Sequence, residues 1–308
     1  MGDKTKRRQL SSKAKDNIAG FLFIAPSLIG FLVFTLFGIV FSVVISFTDW
    51  SLLRDFKDSQ FIGINNYISM FTNKLDWMYL KASLINNAYL LLVVPVTIYL
   101  AAVFANLMNR SIYGKSAARA MYFMPYVTNI VAVATVWRAM FHSTKGPINM
   151  FLHALGVSME NLPGWLSSSK WALPAVAIVL VWKDIGYDIL MYSGALQGIS
   201  RDYYESADID GASAWTKFTR ITLPMLKPTT FMLTILGIIS SLQMWSFVQV
   251  IQPQQMGTST LTLALYIYRS AFVTKRTGYA AALSWLLCLI ILVFTVIRWR
   301  GQKDYSNE

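Results

Sequence analysis

Charge is scarce in this chain: Asp, Glu, Lys and Arg make up 14% of its 308 residues, where soluble domains carry about 25%. So little charge argues against an ordinary water-soluble globule, and the 55% hydrophobic content points to lipid as the solvent. Cysteine is rarer still. The single Cys288 excludes an intrachain disulfide and leaves the redox compartment open. The two histidines, His142 and His153, lie eleven residues apart with no cysteine or carboxylate cluster nearby, so no catalytic or metal set is expected. Acidic residues number 15 against 27 basic ones, a surplus that in a soluble protein would suggest nucleic acid.

What is abundant is uncharged apolar sequence. Runs extend from Asn17 to Thr48, Ala82 to Asn109, Ala120 to Trp137, Pro228 to Tyr268 and Thr277 to Ile297, each able to supply the roughly 20 residues that cross a bilayer as a helix. Trp171 to about Leu196 is a weaker sixth run because it contains Lys183, Asp184 and Asp188. Lipid cannot satisfy exposed backbone amides, so the spans must be helical. The expected fold is all-α and polytopic, with spans at about 18–48, 84–108, 120–140, 171–196, 229–250 and 277–298. Tails cover 1–17 and 299–308, and a polar loop covers 197–228. The first run is about twice as long as a signal-peptide core and has no small-residue cleavage site close behind it, so a retained helix is expected.

The basic residues are distributed by side. Sixteen fall in the amino-terminal tail (Lys4, Lys6, Arg7, Arg8, Lys13, Lys15), after span two (Arg110, Lys115, Arg119), after span four (Arg201, Lys217, Arg220, Lys227) and at the carboxyl end (Arg298, Arg300, Lys303). Nine fall in the alternate loops. The bias puts both termini in the cytoplasm and accounts for the charge without nucleic acid. Of the outer segments, 49–81 reads as irregular or amphipathic. In 142–170 the turns at Gly146-Pro147 and Pro163-Gly164, with Trp165 and Trp171, suggest interfacial anchoring. The run from Pro228 is too long for one span, so span five should end near Val250, with a break at Pro253 and Gly257 and a short interfacial helix over 261–271.

The loop holds the most specific pattern. Tyr204-Glu205-Ser206-Ala207-Asp208-Ile209-Asp210-Gly211, running on to Ile221-Thr222-Leu223-Pro224, resembles the EAA loop of ABC importer permeases, with Ser206 for the middle small residue. Phe23-Ile24-Ala25-Pro26-Ser27, Ser46-Phe47-Thr48-Asp49-Trp50 and Phe61-Ile62-Gly63-Ile64-Asn65-Asn66-Tyr67 are similar to the first of the two permeases in carbohydrate importers of the maltose and glycerol-phosphate type. The resemblance spans nearly the whole chain, without the extra amino-terminal spans and large outer domain that maltose-type permeases can carry. It implies the six-helix type I ABC importer permease fold in the cell membrane. The implied partners are a second permease of similar fold, two ATPase subunits that bind ATP and Mg, an extracytoplasmic solute-binding protein and a carbohydrate cargo, with the lipid bilayer around them. No cofactor is expected in this chain.

From the residues, 205–209 can form a short helix that Gly211 ends or bends. Trp215, Phe218 and Ile221 recur at helical spacing to pack a second turn on the bundle, and Pro224 and Pro228 fix the entry to span five. The resemblance assigns ATPase coupling to Glu205 and Gly211, with Ala207, Asp208, Asp210 and Pro224 beside them. Gly114-Lys115-Ser116 ends like a phosphate loop, but the pattern's first glycine would fall on Asn109 and no strand precedes it. ATP hydrolysis is therefore left to a partner.

Charges inside a span mark functional candidates. Asp184, Tyr187 and Asp188 share one side of span four with Lys183 close by; they either line a polar path or set the helix's depth. In span five Gln243 and Ser246 lie three apart with Trp245 between them, suited to hydroxyls and to a sugar's apolar face or to interhelical hydrogen bonds. Asn86 and Asn87 suit helix packing more than a lining role. The implied function is alternating-access import of an oligosaccharide, with Lys183 admitting a uronate. A polyol or glycerol phosphate cargo is the alternative, followed by a stand-alone channel or a membrane enzyme.

Overall fold

A computed structural model describes residues 12–109, 114–252 and 257–303. Lys4, Lys6, Arg7, Arg8, Arg110 and Pro253 lie outside them, as do the side chains of Lys13, Lys15, Lys115 and Lys303. Among the described residues there is no strand, only an isolated antiparallel bridge between Thr48 and Phe61.

Helix α1 (Ser12–Gly30) passes through a π turn into α2 (Phe37–Ser46). Beyond it, Arg54 Nη2 lies 2.6 Å from Asp49 Oδ2, and this guanidinium holds the carboxyl below its ordinary range. Helix α3 (Asn65–Thr72) leads to α4 (Lys74–Leu91), whose start is set by Asn73 accepting hydrogen bonds from Leu75 N and Asp76 N. With α5 (Val93–Asn109) it forms a 36-residue rod over Lys74–Asn109, beginning well before the expected residue 84.

The third apolar run is not straight. Helices α6 (Lys115–Val127) and α7 (Ile130–Met140) meet at 96°, because Thr128 turns to extended geometry and Asn129 caps α7 with its side chain. After α8 (Pro147–Ala154), Trp165 is buried and donates from Nε1 to Asn149 Oδ1 at 2.7 Å. It seals the outer segment and does not anchor at an interface as expected, because its one polar atom finds a partner inside.

Helix α9 (Ser169–Leu196) is the axis of the bundle, flanked by α5 and α6. Then come α10 (Asp202–Ile209), α11 (Ala214–Lys217), α12 (Leu223–Met225) and α13 (Lys227–Leu242). The fifth run breaks at Leu242, short of Val250, and resumes as α14 (Ser246–Ile251). Distant side chains take up the freed groups: Asn87 Nδ2 donates to Leu242 O and Thr262 Oγ1 to Met244 O. Helix α15 (Leu263–Tyr268) is buried, with Leu263 and Leu265 at 1% and 0% exposure, so it is a core element and not an interfacial one. Helix α16 (Thr277–Lys303) closes the bundle against α2, α13 and α15.

Among the described residues three helices are long and apolar enough to cross a membrane, up to five if each bent pair is one span. Helix α9 has the length but carries Lys183, Asp184 and Asp188. The larger core joins Leu80, Val176, Phe247, Leu265 and Leu283; a smaller one joins Ala101, Ala105, Tyr192, Leu196 and Leu226. Alanines in the second let backbones approach closely, as packing within lipid requires.

Candidate functional site

Spacing of three and four on α9 turns Leu180, Asp184, Tyr187 and Asp188 to one side. There they meet α5 and α13 around a cavity of about 340 Å³ that also takes in Ser240, Ser241 and Tyr126, near the lower end of the roughly 300–1,000 Å³ typical of ligand sites. Tyr126 arrives on α6, and Gly186 is what admits it: a Cβ at that position would lie 1.9 Å from Tyr122 O. The Tyr126 and Tyr187 rings stack with centroids 4.7 Å apart and 22° between planes.

Lys183 does not line the cavity. Its Nζ stands 3.4 Å from Asp184 Oδ1 and 4.9 Å from the Tyr126 ring centroid, so its charge is spent on an ion pair and a cation–π contact. Gln243 and Trp245 are also absent from this cavity. The helix break at Leu242 puts Gln243 at its cap and carries both residues to a separate groove of about 540 Å³ with Tyr268 and Phe272. Trp245 stacks there on Tyr268 at 4.6 Å and 18°. Ser246 begins α14, so the shared face expected for Gln243 and Ser246 does not form. Ser240 and Ser241 are the α13 hydroxyls that line the cavity together with the α9 carboxylates. No sequence signal near Tyr126 foretells its arrival.

Asn86 and Asn87 are packing residues. Asn86 Nδ2 donates to Thr258 O and Leu261 O at 2.7 and 3.0 Å, and Asn87 Oδ1 accepts from Leu263 N at 2.8 Å.

The second feature is a helical hairpin. Ser200 Oγ accepts from Asp202 N at the start of α10. At its end Gly211 takes φ +70°, Gly211 N donates to Asp208 O, and Ala212 N donates to Ala207 O. This Schellman pairing satisfies the last carbonyls and needs a residue free to enter the left-handed region. Ser213 then caps α11 by accepting from Thr216 N. Lys217 pairs with Asp208, and Tyr204 Oη lies 3.0 Å from Thr222 Oγ1, tying the arms together. Phe218 and Thr222 are buried at the base, whereas Trp215 is 62% exposed and Ile209 88%. Trp215 therefore does not pack on the bundle as its spacing suggests, because the π turn at Phe218–Thr222 changes the helical phase. Glu205, Asp210 and Pro224 are exposed and Ala207 half-buried. Pro224 and Pro228 sit in the first turns of α12 and α13, either side of the bend at Leu226, where Ala214–Met225 meets Lys227–Leu242 at 67°.

Among the described residues no cluster could hold a metal ion. His142 and His153 are exposed.

Residues 93–302 match the model of the binding-protein-dependent transport system inner membrane component family. The lactose transport system permease protein LacF of Rhizobium radiobacter is 32% identical over 96% of this chain and 97% of its own length. The diacetylchitobiose uptake system permease protein NgcF of Streptomyces coelicolor is 32% identical over 96% of this chain and 85% of its own length. In fold, the chain resembles a crystal structure of a bacterial ABC transporter involved in the import of the acidic polysaccharide alginate. That likeness has a TM-score of 0.80 at 23% identity, over 95% of this chain and 97% of the other. With the family model covering α5 to α16 and relatives matching nearly end to end, this chain belongs to the inner-membrane permeases of binding-protein-dependent ABC importers, as a multi-pass transport subunit and not an enzyme.

Proposed function

We propose that this chain is one of two similar permease subunits of an ATP-driven importer of oligosaccharides, with both termini in the cytoplasm. An extracytoplasmic binding protein delivers the sugar to it. Two separate ATPase subunits, which bind the ATP and Mg, dock on the α10–α11 hairpin, and their closure moves the hairpin with Glu205 and Gly211. The cavity beside α9 then exchanges its access between the two sides.

The observation that carries this reading is the hairpin. It is held internally by the Schellman turn and two cross-arm contacts, anchored by buried Phe218, Thr222 and Leu226, and it presents Tyr203, Glu205, Ile209 and Trp215 outward. An exposed apolar face on a stiff element suits a protein partner. The sugar cargo draws support from the names of relatives such as the lactose and diacetylchitobiose permeases. It draws further support from a cavity that offers carboxylates, hydroxyls and a tyrosine pair. Lys183 is turned away from the cavity and Asp184 and Asp188 stand on its wall, so Lys183 itself lends no support to a uronate cargo.

The test is a pull-down from detergent-solubilised native membranes with this chain as bait, followed by ATPase assay of what co-purifies. Recovery of a second permease and an ATPase, with activity lost on Gly211→Asp, is the expected result. A chain that emerges alone, under conditions that preserve other membrane complexes, overturns it.

A further inference from the structure

Two polar groups in the cavity are left without partners by the fold. Asp188 accepts no hydrogen bond and forms no ion pair among the described residues. Ser241, contributed by α13, is 7% exposed, and its Oγ is buried with no hydrogen-bond partner. Polar groups at membrane depth are paired, or they face a water-filled path or a ligand. Helix packing does not use these two, since α9 meets α6 through Gly186 and the smaller core through Ile189 and Tyr192.

The acidic groups on this wall are the carboxyl side chains of Asp184 and Asp188. Lys183 offsets Asp184, with Nζ 3.4 Å from Oδ1, and lies outside the cavity. Among the described residues Asp188 has no such cation.

We propose that Asp188, together with Ser241, sets the charge selectivity of the path, admitting sugars that present hydroxyl or ammonium groups and rejecting sugars that carry carboxylate or phosphate. This rests on the transport reading above. An ionised carboxylate only accepts hydrogen bonds. A sugar hydroxyl can donate to it while Ser241 Oγ donates or accepts, and an ammonium group both donates and neutralises. An anionic sugar meets a like charge where water is excluded and screening is weak. The Tyr126–Tyr187 stack gives the apolar face of a pyranose ring something to lie against.

Thiol chemistry reads the field directly. Ser240 lines the same cavity and is exposed, so Ser240→Cys, made with the exposed Cys288 changed to Ser, reports on it. The full chain with its co-purifying subunits is treated with trimethylammonium-bearing and sulfonate-bearing methanethiosulfonates, each rate normalised to that with a free thiol in solution. The cationic reagent should react roughly tenfold faster, and Asp188→Asn should bring the ratio close to one. Lys183→Met, which releases the charge of Asp184, should raise it. A glucosamine disaccharide should slow modification while Asp188 is present, and digalacturonate should not.

Equal normalised rates overturn the proposal, as does a ratio insensitive to Asp188→Asn and Lys183→Met. So does protection by digalacturonate, or failure of the cationic reagent to react. The transport reading fails separately, in the absence of an ATPase from the pull-down, which leaves these rate ratios unaffected.

Discussion

Arg276 Nη1 and Nη2 donate parallel hydrogen bonds of 2.8 and 3.0 Å to Asp76 Oδ1 and Oδ2, closing a bidentate pair between residues 200 positions apart. Asp76 is 4% exposed at the start of α4, and Arg276, just before α16, lies over the Tyr279 ring at 4.1 Å. Tyr266 Oη completes the cluster, 3.4 Å from Asp76 Oδ1 and 3.0 Å from Tyr279 Oη. The pair joins α4, α15 and α16 at the end of the bundle away from the hairpin. Arg276→Ala would leave a buried carboxylate without its cation, which costs about 3–5 kcal/mol in a fully buried pair. The half-exposed guanidinium lowers the expected loss to about 2 kcal/mol. Thermal unfolding in detergent checks this. The double variant Asp76→Asn with Arg276→Gln should recover much of the loss, and an Arg276→Ala chain as stable as its parent would refute the pair's role.

Gly186 should tolerate no side chain. Its Cβ would meet Tyr122 O at 1.9 Å, backbone that cannot swing aside, whereas a Cβ at Gly194 on the same helix meets nothing within 4 Å. Gly186→Ala is expected to push α6 from α9, lower the unfolding temperature by several degrees and separate Tyr126 from Tyr187. Gly194→Ala should be neutral or slightly stabilising through helix propensity. Equal unfolding temperatures for the two variants would show that α6 does not seat at Gly186.

Asn87 is expected to hold the broken fifth run together. Its amide donates to Leu242 O at 3.3 Å and its carbonyl accepts from Leu263 N at 2.8 Å, and the side chain is 2% exposed. Asn87→Leu would bury two backbone groups without partners at about 1–3 kcal/mol each. The matching measurement is hydrogen exchange at Leu263 N, which should rise sharply in the variant, while exchange in α9 stays as it was.

The sequence foretells the elements better than their breaks. Long uncharged runs mark α1–α2, α4–α5 and α16 because lipid demands helices there. The same runs hide the bend at Thr128 and the stop at Leu242. Neither is written in local propensity: the stop depends on Asn87 and Thr262, far away in sequence. Helical spacing finds Asp184, Tyr187 and Asp188 on one face, since period alone decides that. It misplaces Gln243 and Ser246, where the period is interrupted, and Trp215, where a π turn shifts the phase. Tyr126 and the Asp76–Arg276 pair are products of tertiary packing, which a single sequence does not display.

The hairpin gives the most direct link from conformation to function. Gly211 stands at φ +70° with open space around its would-be Cβ, so Gly211→Asp does not clash. It costs roughly 1 kcal/mol in the left-handed region and adds a negative charge beside Asp208 and Asp210. Folding and insertion should survive, because α10 and α11 remain tied by Lys217 to Asp208 and by Tyr204 to Thr222. Uptake and partner ATPase activity should both fall severalfold or more. Glu205→Lys, at an exposed position, should do the same with no change in unfolding temperature. Trp215→Ala, which removes the exposed ring, should weaken recovery of the ATPase in a pull-down. Normal uptake by Glu205→Lys would remove the ATPase from this face and send the search for its contact to other exposed surfaces.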